Sequence, residues 1–165
     1  MAPCEEELTE QEAALDFVQY TVEEAKAAWP TIYEILKDTF KEKFIVEDEA
    51  MAVFDLALAA IAQGLQAVRN VFPKDQAERI EKWVYKYTGP EDLSEYAVEE
   101  VKKYGEQFQK SIENMNTGED PSSAIPARLV QRWLGENIRD FDVEWNGEKT
   151  GIISPTLLMI VSIRL

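Results

Sequence analysis

The sequence predicts a mainly α-helical protein: a bundle of about five to six helices around one central buried helix, with a small C-terminal β-hairpin. Apolar residues recur in steps of three and four through most of the first 115 residues, which is the spacing of one helix face. The segment 48–72 carries two such apolar stripes. Near residue 141 the period changes to two, which is typical of β-strands.

The segment 48–72 is the most strongly patterned part of the chain. Its first stripe consists of large apolar side chains: Met51, Phe54, Leu58, Ile61, Leu65, Val68 and Phe72. Its second stripe has the same alternation and smaller residues: Val53, Ala57, Ala60, Gly64, Ala67 and Val71. At about 100° per residue the stripes lie roughly 100° apart, so the apolar surface is wider than on an ordinary surface helix. We therefore expect this helix in the middle of the bundle, with neighbours on two sides.

The first helix is predicted to begin at a capping box. Thr9 and Glu12 have the Thr-x-x-Glu spacing in which each side chain caps a backbone donor of the other. The apolar pattern continues to Phe44, but Pro30 interrupts it, because proline removes a backbone donor and crowds the preceding turn. Residues 9–44 are therefore either one long kinked helix or two helices that meet at Trp29–Pro30.

Two more helices are predicted after the central one. Pro73 ends the central helix and opens the next, over 74–87. Thr88–Gly89–Pro90 is a stop followed by a restart, because glycine accepts the left-handed C-cap conformation and proline suits the first position of a helix. A long helix over 91–115 follows.

Gly105 lies near the edge of the apolar stripe of that long helix. A glycine inside a helix costs about 1 kcal/mol relative to alanine, so its presence asks for an explanation. Either Gly105 marks a local weakness or kink, or it lets another helix approach closely. In the second case the small-residue stripe around Gly64 is the candidate neighbour.

The chain after the loop 116–123 changes in character. A helix is predicted from about 124 to 138, and the residues of 141–145 then alternate between apolar and acidic. Asn146–Gly147 is a strong hairpin signal, because both turn positions require positive φ. An isolated β-hairpin is only marginally stable in water. The apolar tail 156–165 is therefore expected to supply a third strand or, alternatively, a last buried helix.

Charge divides the chain at the same loop. Of the 17 basic and 32 acidic residues, five of each lie in 121–165, which leaves 12 basic and 27 acidic residues and the whole net charge of −15 in the first 120 residues. We predict an acidic tail over 1–8, an acidic helical bundle over 9–117, and a neutral helix-plus-hairpin segment over 118–165 that packs on the bundle as one domain. The negative charge disfavours nucleic acid and anionic membranes as partners.

Histidine is absent and Cys4 is the single cysteine. These two facts exclude histidine-based catalytic triads, zinc sites with imidazole ligands and an internal disulfide. No cofactor is predicted. The chain shows no apolar run before Cys4, and the apolar tail is shorter than the about 20 residues that span a bilayer. We therefore expect a cytoplasmic protein.

Three polar residues of the central helix are candidate site residues. Asp55, Gln63 and Gln66 lie on the side away from the large apolar stripe, among alanines. The interpretation we favour is that this side meets solvent. The alternative is a polar pocket inside the bundle, in which Asp55 would need a partner because an unpaired buried carboxylate is costly.

Arg128, Arg132 and Trp145 are the candidate contacts for a partner. An aromatic residue at a hairpin tip beside arginines, in an otherwise acidic protein, is typical of a protein-contact site. A helix followed by a hairpin is also the order of winged-helix DNA-binding domains, but the net charge argues against DNA.

By elimination, the sequence favours a non-enzymatic protein-interaction or regulatory module that binds another protein or a second copy of itself. One alternative is a metal-dependent hydrolase of a small phosphorylated substrate, with Mg²⁺ held by carboxylates such as the pairs Glu78/Glu81 and Asp92/Glu95. Pairs with this spacing arise by chance in so acidic a chain, so they discriminate little. A second alternative is an acidic mimic of nucleic acid.

Overall fold

The computed structural model describes residues 9–114 together with Ile125, Leu129 and Trp133. Within these residues the chain forms four α-helices and two single-turn 3-10 helices, with no strand: α1 Glu10–Phe40, 3-10 Lys41–Lys43, α2 Glu49–Val71, α3 Lys74–Tyr87, 3-10 Glu91–Leu93 and α4 Ser94–Glu113. The mainly α prediction is confirmed for this part of the chain. The tail 1–8, the hairpin and the segment 156–165 lie outside the described residues.

Helix α1 begins at the predicted capping box and is one helix. The Thr9 hydroxyl accepts from the Glu12 backbone N–H at 3.2 Å, and the Glu12 carboxylate accepts from the Thr9 N–H at 2.9 Å. Pro30 lies inside the helix and is exposed, while Trp29 and Ile32 beside it are buried. Burial of these neighbours offsets the hydrogen bond that proline removes, so the helix continues.

Helix α2 is the predicted central helix, and it is enclosed over its middle. The following residues are buried: Ala52, Asp55, Leu56, Ala57, Leu58, Ala59, Ala60, Ile61, Ala62, Leu65 and Gln66. Both predicted stripes contribute to this set, but so does the face that carries Asp55 and Gln66. The C-terminal end of the helix emerges from the bundle, where Val71 is 75% and Phe72 is 40% exposed.

The length and composition of α2 would also suit a membrane span. Its 23 residues include a window with a mean hydropathy of 1.6, and 61% of that window is buried inside the fold. Because α2 packs against α1 and α4, its apolar character is explained by its place in the core of the bundle.

Helix α1 packs antiparallel on α2 at the small-residue stripe. Gly64 faces the Phe17 ring, while the Trp29 indole N–H, farther along α1, donates to the Glu49 carboxylate at 2.7 Å near the start of α2. The contact that comes earlier along α1 comes later along α2, so the two helices run antiparallel. A Cβ added at Gly64 would overlap the Phe17 ring, so glycine is what allows this aromatic side chain to lie against α2.

Helix α4 runs parallel to α2 and covers the face that carries Asp55. The Tyr96 hydroxyl donates to Asp55 at 3.0 Å, and the Gln109 side-chain amide donates to Gln66 at 3.4 Å. Our preferred interpretation of this face as solvent-exposed was therefore wrong: Asp55 is 2% and Gln66 6% exposed, because α4 lies over both. Gly105 faces Gln66 rather than the Gly64 stripe.

Helix α3 packs chiefly on α1. The Arg79 guanidinium contacts the Glu10 carboxylate at 3.0 Å, and the Gln11 side-chain amide donates to the Tyr87 hydroxyl at 2.5 Å. The helix ends at the predicted stop, where Gly89 has φ of 80°. An added Cβ there would also lie 3.1 Å from the side chain of Ala97, so both conformation and space favour glycine.

Three residues of the segment after the loop contribute to the core. Ile125, Leu129 and Trp133 are helical, follow each other at steps of four, and are each 2% exposed. The Trp133 ring meets Trp29 of α1 edge to face, with centroids 5.4 Å apart and planes at 80°. These three residues therefore share the core of the helical bundle.

We expect Trp133→Ala to lower the free energy of unfolding by about 3–5 kcal/mol, because it removes a buried ring and leaves a cavity beside Trp29. Urea denaturation followed by circular dichroism measures the change. Tyr20→Ala is the control, since Tyr20 is 61% exposed and its truncation should change stability by no more than about 0.5 kcal/mol. Equal effects of the two variants would contradict the placement of Trp133 in the core.

The two helical glycines should respond differently to enlargement. Gly64→Leu must displace the Phe17 ring, and we expect it to destabilise the protein by about 1–3 kcal/mol. A Cβ added at Gly105 would lie 3.4 Å from the Gln66 Nε2, which is an ordinary contact distance. We therefore expect Gly105→Leu to change the free energy of unfolding by no more than about 1 kcal/mol. Thermal unfolding of both variants tests the assignment, which a larger loss at Gly105 would contradict.

Candidate functional site

A cleft of about 520 Å³ lies between α2, α3 and α4. Its lining comes from residues 62–69 of α2, residues 81–85 of α3 and residues 101–113 of α4. The α2–α4 interface forms the floor, α3 forms one wall, and the outer turns of α4 form the rim. The cleft therefore exists only because three separate helices meet around it.

The floor combines apolar residues with one buried amide. Leu65 and Val101 are each 2% exposed and line the cleft beside Gly105. Gln66 is only 6% exposed, and its Oε1 accepts a hydrogen bond from the Gln109 side-chain amide. Its Nε2 faces the position of Gly105 and has no acceptor in the described part of the chain. The floor thus offers an unused hydrogen-bond donor in apolar surroundings.

The wall is held by three interacting side chains. The Arg69 Nη2 lies 2.6 Å from the Glu81 Oε1, which links α2 to α3. The Tyr85 hydroxyl donates to the same Oε1 at 2.6 Å from one turn farther along α3. Two donors converge on one carboxylate, whose side chain is only 16% exposed. This arrangement compensates the negative charge of the Glu81 carboxylate and fixes its orientation.

These contacts move the pKa values of all three groups away from neutrality. Burial alone would raise the pKa of Glu81, but the hydrogen bonds from Arg69 and Tyr85 hold that pKa below its ordinary value. Burial and the hydrogen bond to Glu81 raise the pKa of Tyr85 well above its ordinary value. The same carboxylate raises the pKa of Arg69. Each group therefore keeps one charge state across the neutral range.

The rim carries alternating charges. Lys102, Glu106, Lys110 and Glu113 follow each other along α4 at steps of four, four and three, and all are exposed. The Lys102 ammonium lies 5.4 Å from the centroid of the Tyr85 ring. Among the described residues neither Lys102 nor Lys110 forms an ion pair. The rim therefore presents two lysine donors while its formal charges cancel.

Only one of the three predicted residues on the central helix reaches this cleft. Gln66 lines it, whereas Asp55 lies about three turns away and accepts from Tyr96. Gln63 is half-buried and is not part of the lining. The three therefore do not share one pocket. The predicted partner contacts lie outside the described residues: Arg128, Arg132 and Trp145.

The predicted carboxylate pairs are also separated in space. Glu81 is bound to Arg69 and Tyr85, while Asp92 and Glu95 line a different, shallower cleft at the start of α4. The described residues contain no group of three or more histidine, cysteine, aspartate or glutamate side chains placed to hold a metal ion. No other feature of this part of the chain points to a metal centre.

The sequence analysis named Glu81 as a member of a carboxylate pair and did not reveal its cluster with Arg69 and Tyr85. Arg69 and Glu81 are 12 residues apart and lie on different helices, so no single-helix spacing connects them. A detectable signal was the pairing of Glu81 with Tyr85 at a spacing of four, which is a common neighbour spacing on any helix. The bend at Pro73 brings Arg69 to them.

No family model, curated protein or solved structure matches this chain. The chemistry of the cleft lining is therefore the basis for any functional inference. That lining combines an apolar floor, a free amide donor, a neutralised wall and a rim with two available ammonium groups.

We expect Tyr85→Phe to lower the free energy of unfolding at pH 7 by about 1 kcal/mol, because Glu81 loses one hydrogen bond. The folded-state pKa of Tyr85 is raised, so its stabilising contribution is present below the unfolded-state pKa of about 10 and is lost as pH rises toward the folded-state pKa. The difference in the free energy of unfolding between wild type and Tyr85→Phe should therefore decrease from pH 8 to pH 11. Urea midpoints at several pH values measure it.

The control for this prediction is Tyr20→Phe, because the Tyr20 side chain is exposed. We expect this variant to have the same urea midpoint as the wild type at neutral pH. A stability difference between wild type and Tyr85→Phe that stays constant or increases between pH 8 and pH 11 would contradict the hydrogen bond from the Tyr85 hydroxyl to Glu81.

Proposed function

We propose that this protein is a non-enzymatic binding module of the protein-interaction or regulatory type, and that the cleft between α2, α3 and α4 holds its ligand. One observation carries the proposal. The ionisable groups of the wall are engaged with one another, whereas the floor keeps an unused amide donor in apolar surroundings. This combination suits recognition of a ligand rather than its chemical conversion.

The absence of a poised acid or base in the wall supports a binding role. General acid–base catalysis is most efficient when the pKa of the catalytic group lies near the working pH. The pKa of Glu81 is lowered and that of Tyr85 is raised, so each moves away from neutrality. Arg69 is held in an ion pair, and it stays protonated. None of the three is set up to transfer a proton near pH 7.

The size and lining of the cleft support binding. Ligand pockets are usually concave, mostly apolar, and about 300–1,000 Å³ in volume, with a few polar groups that orient the ligand. The cleft, at about 520 Å³, lies within this range. Leu65 and Val101 supply its apolar contact, and Gln66 supplies an orienting donor.

The end of the bundle next to the cleft suits contact with another protein. Val71 and Phe72 at the end of α2, and Ile112 at the end of α4, are all exposed. Because α2 and α4 run parallel, these side chains lie at the same end of the bundle. We propose a protein partner or a second copy of the chain, in the cytoplasm, with the neutral segment over 118–165 as a further contact surface.

The metal-dependent hydrolase is less well supported. Its carboxylate pairs lie apart, and Glu81 is already bound to Arg69 and Tyr85. Recruiting Glu81 to a metal would compete with its hydrogen bonds from Arg69 and Tyr85 at a side chain that is 16% exposed, which is costly.

A fragment screen by nuclear magnetic resonance tests the proposed function. We expect compounds that bind to shift the side-chain amide signals of Gln66 and Gln109, because both residues line the cleft. Bound compounds should be recovered unchanged after prolonged incubation. Gly105→Leu, which adds a side chain at the floor, should abolish the shifts while keeping a native circular dichroism spectrum. Binding that survives this substitution, or conversion of a bound compound that this substitution abolishes, would overturn the proposal.

A further inference from the structure

We infer that the ligand of the cleft is an apolar monocarboxylate, a molecule with one carboxylate on an aliphatic or aromatic body. This inference rests on the proposed binding function and specifies the chemistry of that ligand. It follows from three properties of the lining: the type of its free hydrogen-bonding groups, its charge balance and its apolar floor.

The free hydrogen-bonding group at the floor of the cleft is a donor. The acceptor side of Gln66 is used by Gln109, and the Glu81 carboxylate is used by Arg69 and Tyr85. At the rim, the ammonium groups of two lysines lie beside acceptors, which are the carboxylates of two glutamates and the side-chain oxygen of Gln109. A ligand group that reaches the Nε2 of Gln66 must therefore bring an acceptor, and a carboxylate brings two strong ones.

The charge balance disfavours a ligand with more than one negative charge. Lys102 and Lys110 attract an anion, whereas Glu106 and Glu113 beside them repel it, and the Arg69–Glu81 pair adds no net charge. A phosphate ester or a dicarboxylate would bring two or more charges to a rim with no surplus of cations. One carboxylate can sit between a lysine and the Gln66 amide without that excess.

The floor defines the rest of the molecule. Ala62, Leu65 and Val101 are buried and present methyl groups to the cleft, and Gly105 leaves the path from the rim to Gln66 open. A short acetate ion would satisfy the donors but leave these side chains uncovered. An aliphatic chain or an aromatic ring would cover them and gain hydrophobic contact.

Isothermal titration calorimetry of the full chain with sodium decanoate, below its micelle concentration, is the central test. We expect one site, with affinity rising roughly fourfold for each methylene that reaches the floor in the series acetate, hexanoate, octanoate and decanoate. The uncharged analogue decanol should bind at least about tenfold more weakly, because it lacks the charge that attracts the two lysines and is a weaker acceptor for the Gln66 amide. Equal binding of decanol and decanoate would overturn the inference.

Matched substitutions locate the site. Gln66→Leu should weaken decanoate binding about tenfold, whereas Gln63→Leu, on the same helix and outside the cleft, should not. Lys110→Gln should weaken binding about two- to fivefold and reduce its salt dependence, whereas Lys82→Gln, on the exposed surface of α3, should not. Equal effects of the cleft substitutions and their controls would contradict the assignment.

The outcomes separate this inference from the proposed function. If uncharged or cationic fragments bind in the cleft and lose binding in Gly105→Leu, while decanoate binds nowhere, the carboxylate inference fails and the binding module stands. If no compound, decanoate included, depends on the residue at position 105, the cleft is not the site and both fail. Decanoate binding that is lost in Gly105→Leu and weakened in Gln66→Leu supports both.

Discussion

The bundle is organised around the burial of α2 between α1 and α4. A helix enclosed over residues 52–66 cannot leave Asp55 to water, and both that carboxylate and the Gln66 oxygen accept hydrogen bonds from α4. It also needs small residues where a neighbour comes close. Gly64 provides this where the Phe17 ring of α1 lies against α2.

The polar residues of α2 help to define how α4 lies on it. Tyr96 meets Asp55 and Gln109 meets Gln66, and both contacts fit the same parallel register. A shift of α4 by one turn would break both hydrogen bonds and leave a buried carboxylate short of a donor, which is costly. Asp55 serves this packing. Gln66 serves it with its oxygen and leaves its nitrogen facing the cleft, so one side chain joins the core to the proposed binding site.

Local chemistry made several elements predictable. The capping box at Thr9, the stop at Gly89 and the three- and four-residue apolar spacing each act within one or two turns of the chain, where a single sequence carries the information. The central helix, predicted over 48–72, is observed over Glu49–Val71. Leu129 and Trp133, which lie within the helix predicted from about 124 to 138, are helical and buried.

The positions of the helices and the core location of α2 follow from the sequence alone, because periodicity and caps are local properties. Contacts between helices account for the other features. They placed Asp55 under α4, kept α1 continuous through Pro30, and joined Arg69 to Glu81 and Tyr85 across two helices. These outcomes depend on which surfaces meet in space, and the spacing of residues along a single helix does not specify that.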